Sequence, residues 1–296
     1  MLLRFFVLTV LLALPGVLYA SVQTVVYTRA FAGEAYGYYH VAVLQAALNA
    51  TNADYGEAIA EAHPQPMPQA RQIVTLLKDG ADIMWSATSD ERESQLLPVR
   101  FPLLQGLAGY RVFIINKDNQ GRFHATMTRG DLQALRAVQG NDWPDLAVLR
   151  SNGFHADGAD WSVWFASMFN SVQRGLVDYF PRNVIEVYND LERHQDKHVA
   201  LEQNIMLHYP NYEFFFARPG HEALVARIGE GLQRILKSGE LKEIFLQHEN
   251  HRQALALVND SNRTVFELSN PTLSYAMPDT AWATDPDKFL KSLSAK

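Results

Sequence analysis

Residues 83–110 read IMWSATSDERESQLLPVRFPLLQGLAGY. The stretch opens inside Ala81–Ser86 (ADIMWS), an apolar run after Gly80 that has the pattern of a buried strand. Ser89-Asp90-Glu91-Arg92 follows as a charged turn, and Pro98 to Pro102 is extended and marked by prolines. Tyr110–Asn116 (YRVFIIN) is a second strong strand. Upstream, Thr24–Ala30 (TVVYTRA) is rich in β-branched residues and reads as a strand, and Gly33–Gly37 is a glycine-bracketed loop. Tyr38–Asn49 carries Val41, Leu44, Ala47 and Leu48 at helical spacing. Ala58–Ala62 is a short strand, and Pro64, Pro66 and Pro68 punctuate a loop. Gln69–Asp79 is a helix with Ile73, Leu76 and Leu77 on one face and Gly80 placed to end it. Strand–helix–strand–helix–strand predicts an α/β layered fold with parallel pairing.

Downstream, Asp131–Leu135 reads as a short helix and Ala137–Gln139 as a strand ending at Gly140. A helix over Trp143–Ser151 has Asp142 as its N-cap. Ser162–Arg174 is a helix stopped by Gly175, Leu176–Phe180 a strand, and Asn183–Arg193 a further helix. Tyr212–Ala217 (YEFFFA) is a strand, and Glu222–Lys237 and Gly239–His248 are two closing helices. From about His251 the pattern thins to one short strand, Thr264–Leu268, and three prolines, a tail expected to wrap the first lobe.

The N-terminus predicts export. Arg4 precedes an apolar run over Phe5–Leu14, Pro15-Gly16 breaks it, and Ala20 offers a small residue for cleavage before Ser21. That run is too short to span a bilayer, which takes about 20 apolar residues. Removing residues 1–20 leaves 25 basic against 32 acidic residues, a net charge of −7. Without Lys/Arg runs, such a chain has no electrostatic footprint for nucleic acid or anionic lipid. The absence of cysteine excludes disulfides, a cysteine nucleophile, thiolate metal ligands and a lipid-bearing cysteine. A soluble, monomeric periplasmic protein fits these observations.

Leu77, Gly80 and Asp82 followed by Ser89-Asp90-Glu91-Arg92 resemble the "L-x-x-G-x-x-D" and "T-x-E-R" pattern of the extracellular solute-binding proteins of family 3. These are the type 2 periplasmic binding proteins typified by polar amino-acid binders. Element order agrees over roughly Val25 to His248. The resemblance implies two α/β lobes with an interlobe cleft. It places a signal peptide at 1–20, the first lobe at 21–105 plus 211–250, the second at 106–210, and the tail at 251–296. Connecting strands near Pro102–Gly106 and Asn211–Glu213 would form the hinge, and ligand in the cleft would favour the closed state. The implied partners are a small-molecule ligand and an ABC-type permease or a membrane sensor, with no cofactor and no metal.

Arg92 is the first candidate site residue. In the family the matching arginine grips a ligand carboxylate, and a guanidinium is suited to forking two hydrogen bonds onto one. Its alternative use is a surface ion pair with Glu91 or Glu93. Thr88 and Ser89 offer hydroxyls to the same ligand head or to turn chemistry. The amine-holding Asp of the family is expected near position 183, where this chain has Asn183 beside Arg182. A ligand with two acidic groups, or one without an amine, therefore fits better than an ordinary α-amino acid. Glu34 could restore amine recognition. Gly140-Asn141-Asp142-Trp143 opens a helix and so offers N–H groups to an anion, a role Asp142 partly fills. Trp85, Trp143, Tyr36, Tyr38 and Tyr110 are aromatic candidates for the cleft wall, against core packing as the ordinary role.

His194/His198 and His248/His251 have helix-face spacing, yet neither pair brings a third metal ligand. The sequence contains no G-x-S-x-G, P-loop or G-x-G-x-x-G motif. Two other functions compete with solute binding. One is an exported dehydratase-like enzyme on the same fold using Glu34 or Glu57 as acid or base. The other is an interaction module whose cleft has decayed.

Overall fold

The computed structural model describes residues 22–31, 37–160, 165–277 and 280–293. The expected signal segment, Glu34, Tyr36 and the start of the helix expected from Ser162 lie outside the described residues.

The first sheet contains β1 (Gln23–Tyr27), β2 (Ala58–Ala62), β3 (Ile83–Ala87), β4 (Leu97–Val99) and β11 (Glu213–Ala217), in the order β2-β1-β3-β11-β4. β1 pairs in parallel with β2 and β3, as the alternating helices require. β11 returns from the second sheet and inserts antiparallel between β3 and β4, with Trp85 opposite Phe215. Helices α1 (Tyr38–Asn49), α2 (Asn52–Tyr55), α3 (Gln69–Leu77) and α4 (Asp90–Gln95) belong to this half.

The second sheet contains β5 (Tyr110–Asn116), β6 (Arg136–Gly140), β7 (His155–Ala159), β8 (Tyr179–Asn183), β9 (Val199–Leu201), β10 (Ile205–His208) and β12 (Thr264–Glu267). Its order is β12-β10-β5-β8-β6-β7, with β9 also on β5. The interposed helices are α5 (Arg129–Gln133), α6 (Pro144–Ser151), α7 (Ala166–Gln173) and α8 (Val187–Arg193). The chain closes with α9 (Glu222–Ser238), α10 (Glu240–Gln247), α11 (Glu249–Val258) and α12 (Pro286–Leu293).

Two segments, 100–109 and 209–212, carry the chain between the sheets and lie side by side. Tyr209 N–H donates to the Gly109 carbonyl at 3.2 Å, and Leu103 N–H to the Glu213 carbonyl at 3.0 Å.

Several boundaries differ from the sequence reading, for identifiable reasons. α3 stops at Leu77 because Asp79 turns left-handed, at φ 62°, before Gly80. The turn at Ser89 is a helix start: the Ser89 hydroxyl accepts from the Arg92 N–H at 3.2 Å. The N-cap position of α6 is Trp143 rather than Asp142, and Pro144 opens the helix. Arg182 and Asn183 lie in β8, not at a helix start. Proline inside an interior strand argues against a strand. Here β6 meets β8 only at Ala137–Tyr179, so Pro181 sits where the two strands have parted. The tail serves both halves rather than the first alone: β12 pairs in parallel with β10 of the second sheet. Trp282 and Phe289 are fully buried against Phe245 and Phe101 of the first half.

α9 buries Leu224, Ile228, Leu232, Ile235 and Leu236 along one face, the 3.6-residue period of a helix docked on a core. Its Gly231 presses against α1, where an added Cβ would stand 2.1 Å from the Ala47 carbonyl oxygen. Glycine to alanine inside a helix ordinarily stabilises by roughly 0.5–1 kcal/mol. Gly231→Ala is expected to do the reverse, destabilising by about 1–3 kcal/mol through overpacking. Chemical denaturation reads the sign directly.

Candidate functional site

A cavity of about 240 Å³ opens between the two sheets. It lies off the carboxyl ends of β1 and β3 on one side and of β6 and β8 on the other, the usual position for ligands in open α/β sheets. The first half contributes Arg29 after β1, Gln69 and Gln72 of α3, and Trp85 to Ala87 of β3. The second half contributes Arg111, Gln139, Trp143, Asp145, Arg182, Asn183 and Glu186. Asn211 and Glu213 line it from the second crossing, and His248, Asn250 and His251 from the end of α10 and α11.

Of the residues singled out in the sequence, Trp85, Trp143 and Arg182 line the cavity. Trp85 lies flat on His40, centroids 5.1 Å apart and planes within 4°. Its ring fits only because position 37 is glycine, at φ 76°: a Cβ there would come within 2.2 Å of the indole. His40 in turn pairs with Glu213.

Arg92, Ser89 and Thr88 lie one layer behind the wall. Arg92 is buried and donates to Ser86 Oγ at 2.9 Å, Gln69 Oε1 at 2.9 Å and the Ala87 carbonyl, all three on wall residues. These partners are neutral, and its Nε has none among the described residues. Burial lowers its pKa to about 10, with Asp142 and Glu91 offsetting part of the loss. Ser89 caps α4, and the Thr88 hydroxyl donates to Glu93 at 2.6 Å. Glu57 is exposed and does not line the cavity. Tyr38 lines it and Tyr110 does not.

Arg182 is no solvated residue. It donates to Asp190 at 2.6 Å, pairs with Glu186 at 2.9 Å, and faces the rings of Phe165, Phe180 and Trp143. Burial disfavours its charge, but Asp190 and Glu186 more than offset this, so its pKa is raised. Burial raises the pKa of Glu186 and Asp190 against the pull of Arg182.

Other wall residues escaped the sequence reading. Arg111, alone in an apolar strand, donates through Nε to Asp145 at 2.7 Å and through Nη1 to the Ala108 carbonyl at 2.6 Å. Burial disfavours both charges of this pair, and their mutual attraction more than offsets it: the Arg111 pKa rises and the Asp145 pKa falls. A lone cation inside YRVFIIN was the available signal. Arg29 lines the cavity with its Nε buried and, among the described residues, unpartnered. Gln139 Oε1 and Asn211 Oδ1 are likewise buried without a donor. Polar atoms left unsatisfied from both halves around one cavity are exceptional in a folded chain. Among the described residues no group of three or more His, Asp or Glu is arranged to hold a metal, and no helix is long and apolar enough to cross a membrane.

No family model and no curated protein matches the sequence. Solved structures do. An ancestral arginine-binding protein bound to arginine superposes with a TM-score of 0.56 at 15% identity, covering 76% of this chain and 97% of its own. The chain has the fold of the two-lobed periplasmic binding proteins. A probable amino-acid ABC transporter extracellular-binding protein from Bacillus subtilis gives 0.57 at 16% identity, covering 77% and 98%. A histidine kinase sensor domain with similarity to periplasmic binding proteins gives 0.55 at 14%, covering 77% and 95%.

His251 lines the cavity and meets the Phe245 carbonyl through Nδ1 at 2.9 Å, so Nδ1 carries the proton. Burial and the neighbouring His248 lower its pKa to about 3, from an ordinary 6.5. Between those values the unfolded chain binds a proton that the folded one refuses, so stability falls as pH falls through this window. His251→Gln is expected to flatten the stability–pH slope there by up to about 1.4 kcal/mol per pH unit. Urea unfolding across pH 3–6.5 checks it.

Proposed function

We propose that the chain is an exported solute-binding protein that captures a small carboxylate-bearing molecule between its lobes. It would deliver that molecule to an ABC-type importer or a membrane sensor. The lobes are residues 21–105 with 211–250, and 106–210, hinged at the two crossings. The observation that carries the reading is the charge asymmetry of the cavity. On the second lobe Arg111 is neutralised by Asp145, and Arg182 by Asp190 and Glu186. On the first lobe the Arg92 guanidinium has only neutral hydrogen-bond partners, and Arg29 Nε has none among the described residues.

An anionic group is therefore favoured at the first-lobe wall, beside Arg29, Gln69 and Ser86 with Arg92 behind. The opposite end of the ligand would offer N–H or O–H groups to Gln139 Oε1 and Asn211 Oδ1. A ligand that contacts both lobes stabilises the closed arrangement over the open one. The neighbours support each destination: one is a probable ABC transporter binding protein, another a histidine kinase sensor domain.

Thermal-shift screening followed by calorimetry tests the reading, using amino acids, mono- and dicarboxylates and uncharged analogues. An acidic solute at 100 times its Kd should stabilise the wild type by about 2.7 kcal/mol. Arg29→Ala should weaken that solute roughly 10- to 100-fold, the worth of a charge-assisted hydrogen bond. Retained affinity in the variant would remove the carboxylate anchor. Consumption of the solute would point to the enzyme reading, and silence across the library to an interaction module.

A further inference from the structure

We propose that residues 269–277 form a strap, a fourth connection between the lobes, which limits how far they separate. The two crossings at 100–109 and 209–212 join the sheets within the body of the fold. The tail crosses twice more, out through α11 to β12 and back along 269–277. After β12 has paired with β10 on the second lobe, Ser269 is held there: Asn152 Nδ2 donates to the Ser269 carbonyl at 2.7 Å, and Ser269 N–H to Asn152 Oδ1 at 3.2 Å. Three residues later the chain is fixed to the first lobe. Asp90 N–H donates to the Thr272 carbonyl at 2.8 Å, and Ser274 returns its N–H and hydroxyl to Asp90 Oδ1 at 3.1 Å. Leu273 is buried in the cluster that contains Leu76 and Met84, and the Tyr275 hydroxyl donates to Glu93 at 2.6 Å.

Ser269 to Thr272 is three peptide steps, a reach of at most roughly 11 Å. Pro271 stiffens the middle of it. In between, Asn270 Nδ2 donates to the Pro210 carbonyl at 2.8 Å, tying the strap to the second crossing. A lobe motion that moves Asn152 away from Asp90 beyond that reach must break one anchor. The strap also assigns work to the charged motif: Asp90 and Glu93 hold the tail.

The test is a distance measurement in the ligand-free chain, so it is independent of the solute-binding reading. The sequence has no cysteine. Val74→Cys and Leu176→Cys, at positions 46% and 61% exposed on the first and second lobes, therefore label cleanly for pulsed electron resonance. Insertion of six Gly/Ser residues between Asn270 and Pro271 lengthens the strap and leaves its bonds to Asn152, Pro210, Asp90 and Glu93 in place, removing only the local bonds from Thr272 to Asn270 Oδ1 at 2.9 and 2.7 Å. The expected result is a broader distribution shifted to longer distance by several ångström. Asp90→Ala with Tyr275→Phe should shift it the same way and serves if the insertion impairs folding. Distributions that superimpose on wild type in a variant with an unchanged melt overturn the proposal.

Discussion

The ion pair between Arg111 and Asp145 is the interaction on which the rest of the site depends. Arg111 stands two residues past the first crossing, and Asp145 in the first turn of α6. Tyr209, in the second crossing, donates its hydroxyl to the same Asp145 oxygen and lies under the guanidinium at 5.2 Å. One buried pair thus fastens both crossings to the second lobe and forms part of the cavity wall. Removing one partner from such a pair leaves an uncompensated buried charge, which costs about 3–5 kcal/mol. The pair spends its charge on position, so it adds no net field to the cavity.

The same logic separates the arginines by role. Arg182 is clamped by two carboxylates and enclosed by aromatic rings, and it orients the wall that holds Glu186. Glu186, three residues beyond the position where an amine partner was sought, lines the cavity with Asp145 and Asp190. On the first lobe, Arg92 holds Ser86, Ala87 and Gln69 in place and keeps a charge that its hydrogen-bond partners do not cancel. A cavity whose second-lobe charges are paired, and whose first-lobe wall has an arginine with only neutral hydrogen-bond partners behind it, can orient a small polar molecule and read contacts from both lobes at once.

Much of this was legible in the sequence. Runs such as YRVFIIN and YEFFFA are strands because they are buried on both faces, and Tyr38–Asn49 keeps helical spacing throughout. The motif through Arg92 located the cleft edge to within one layer. The misses have physical causes. β7, β9 and β10 are only three to five residues long, and β7 carries Asp157 and Gly158. Pro181 concealed the second half of β8, because the parting of β6 from β8 is a tertiary fact. Arg29 and Gln139 carry no local signature; only the assembled cavity reveals that their polar atoms lack partners.

A crystal structure of the chain with its tightest-binding solute is the decisive measurement. One molecule is expected between the lobes. Its carboxylate should lie within hydrogen-bond reach of Arg29 or the Ser86–Gln69 wall, and its donor end against Gln139 or Asn211. A solute bound outside the cleft, or held with its carboxylate on the second lobe, would contradict it.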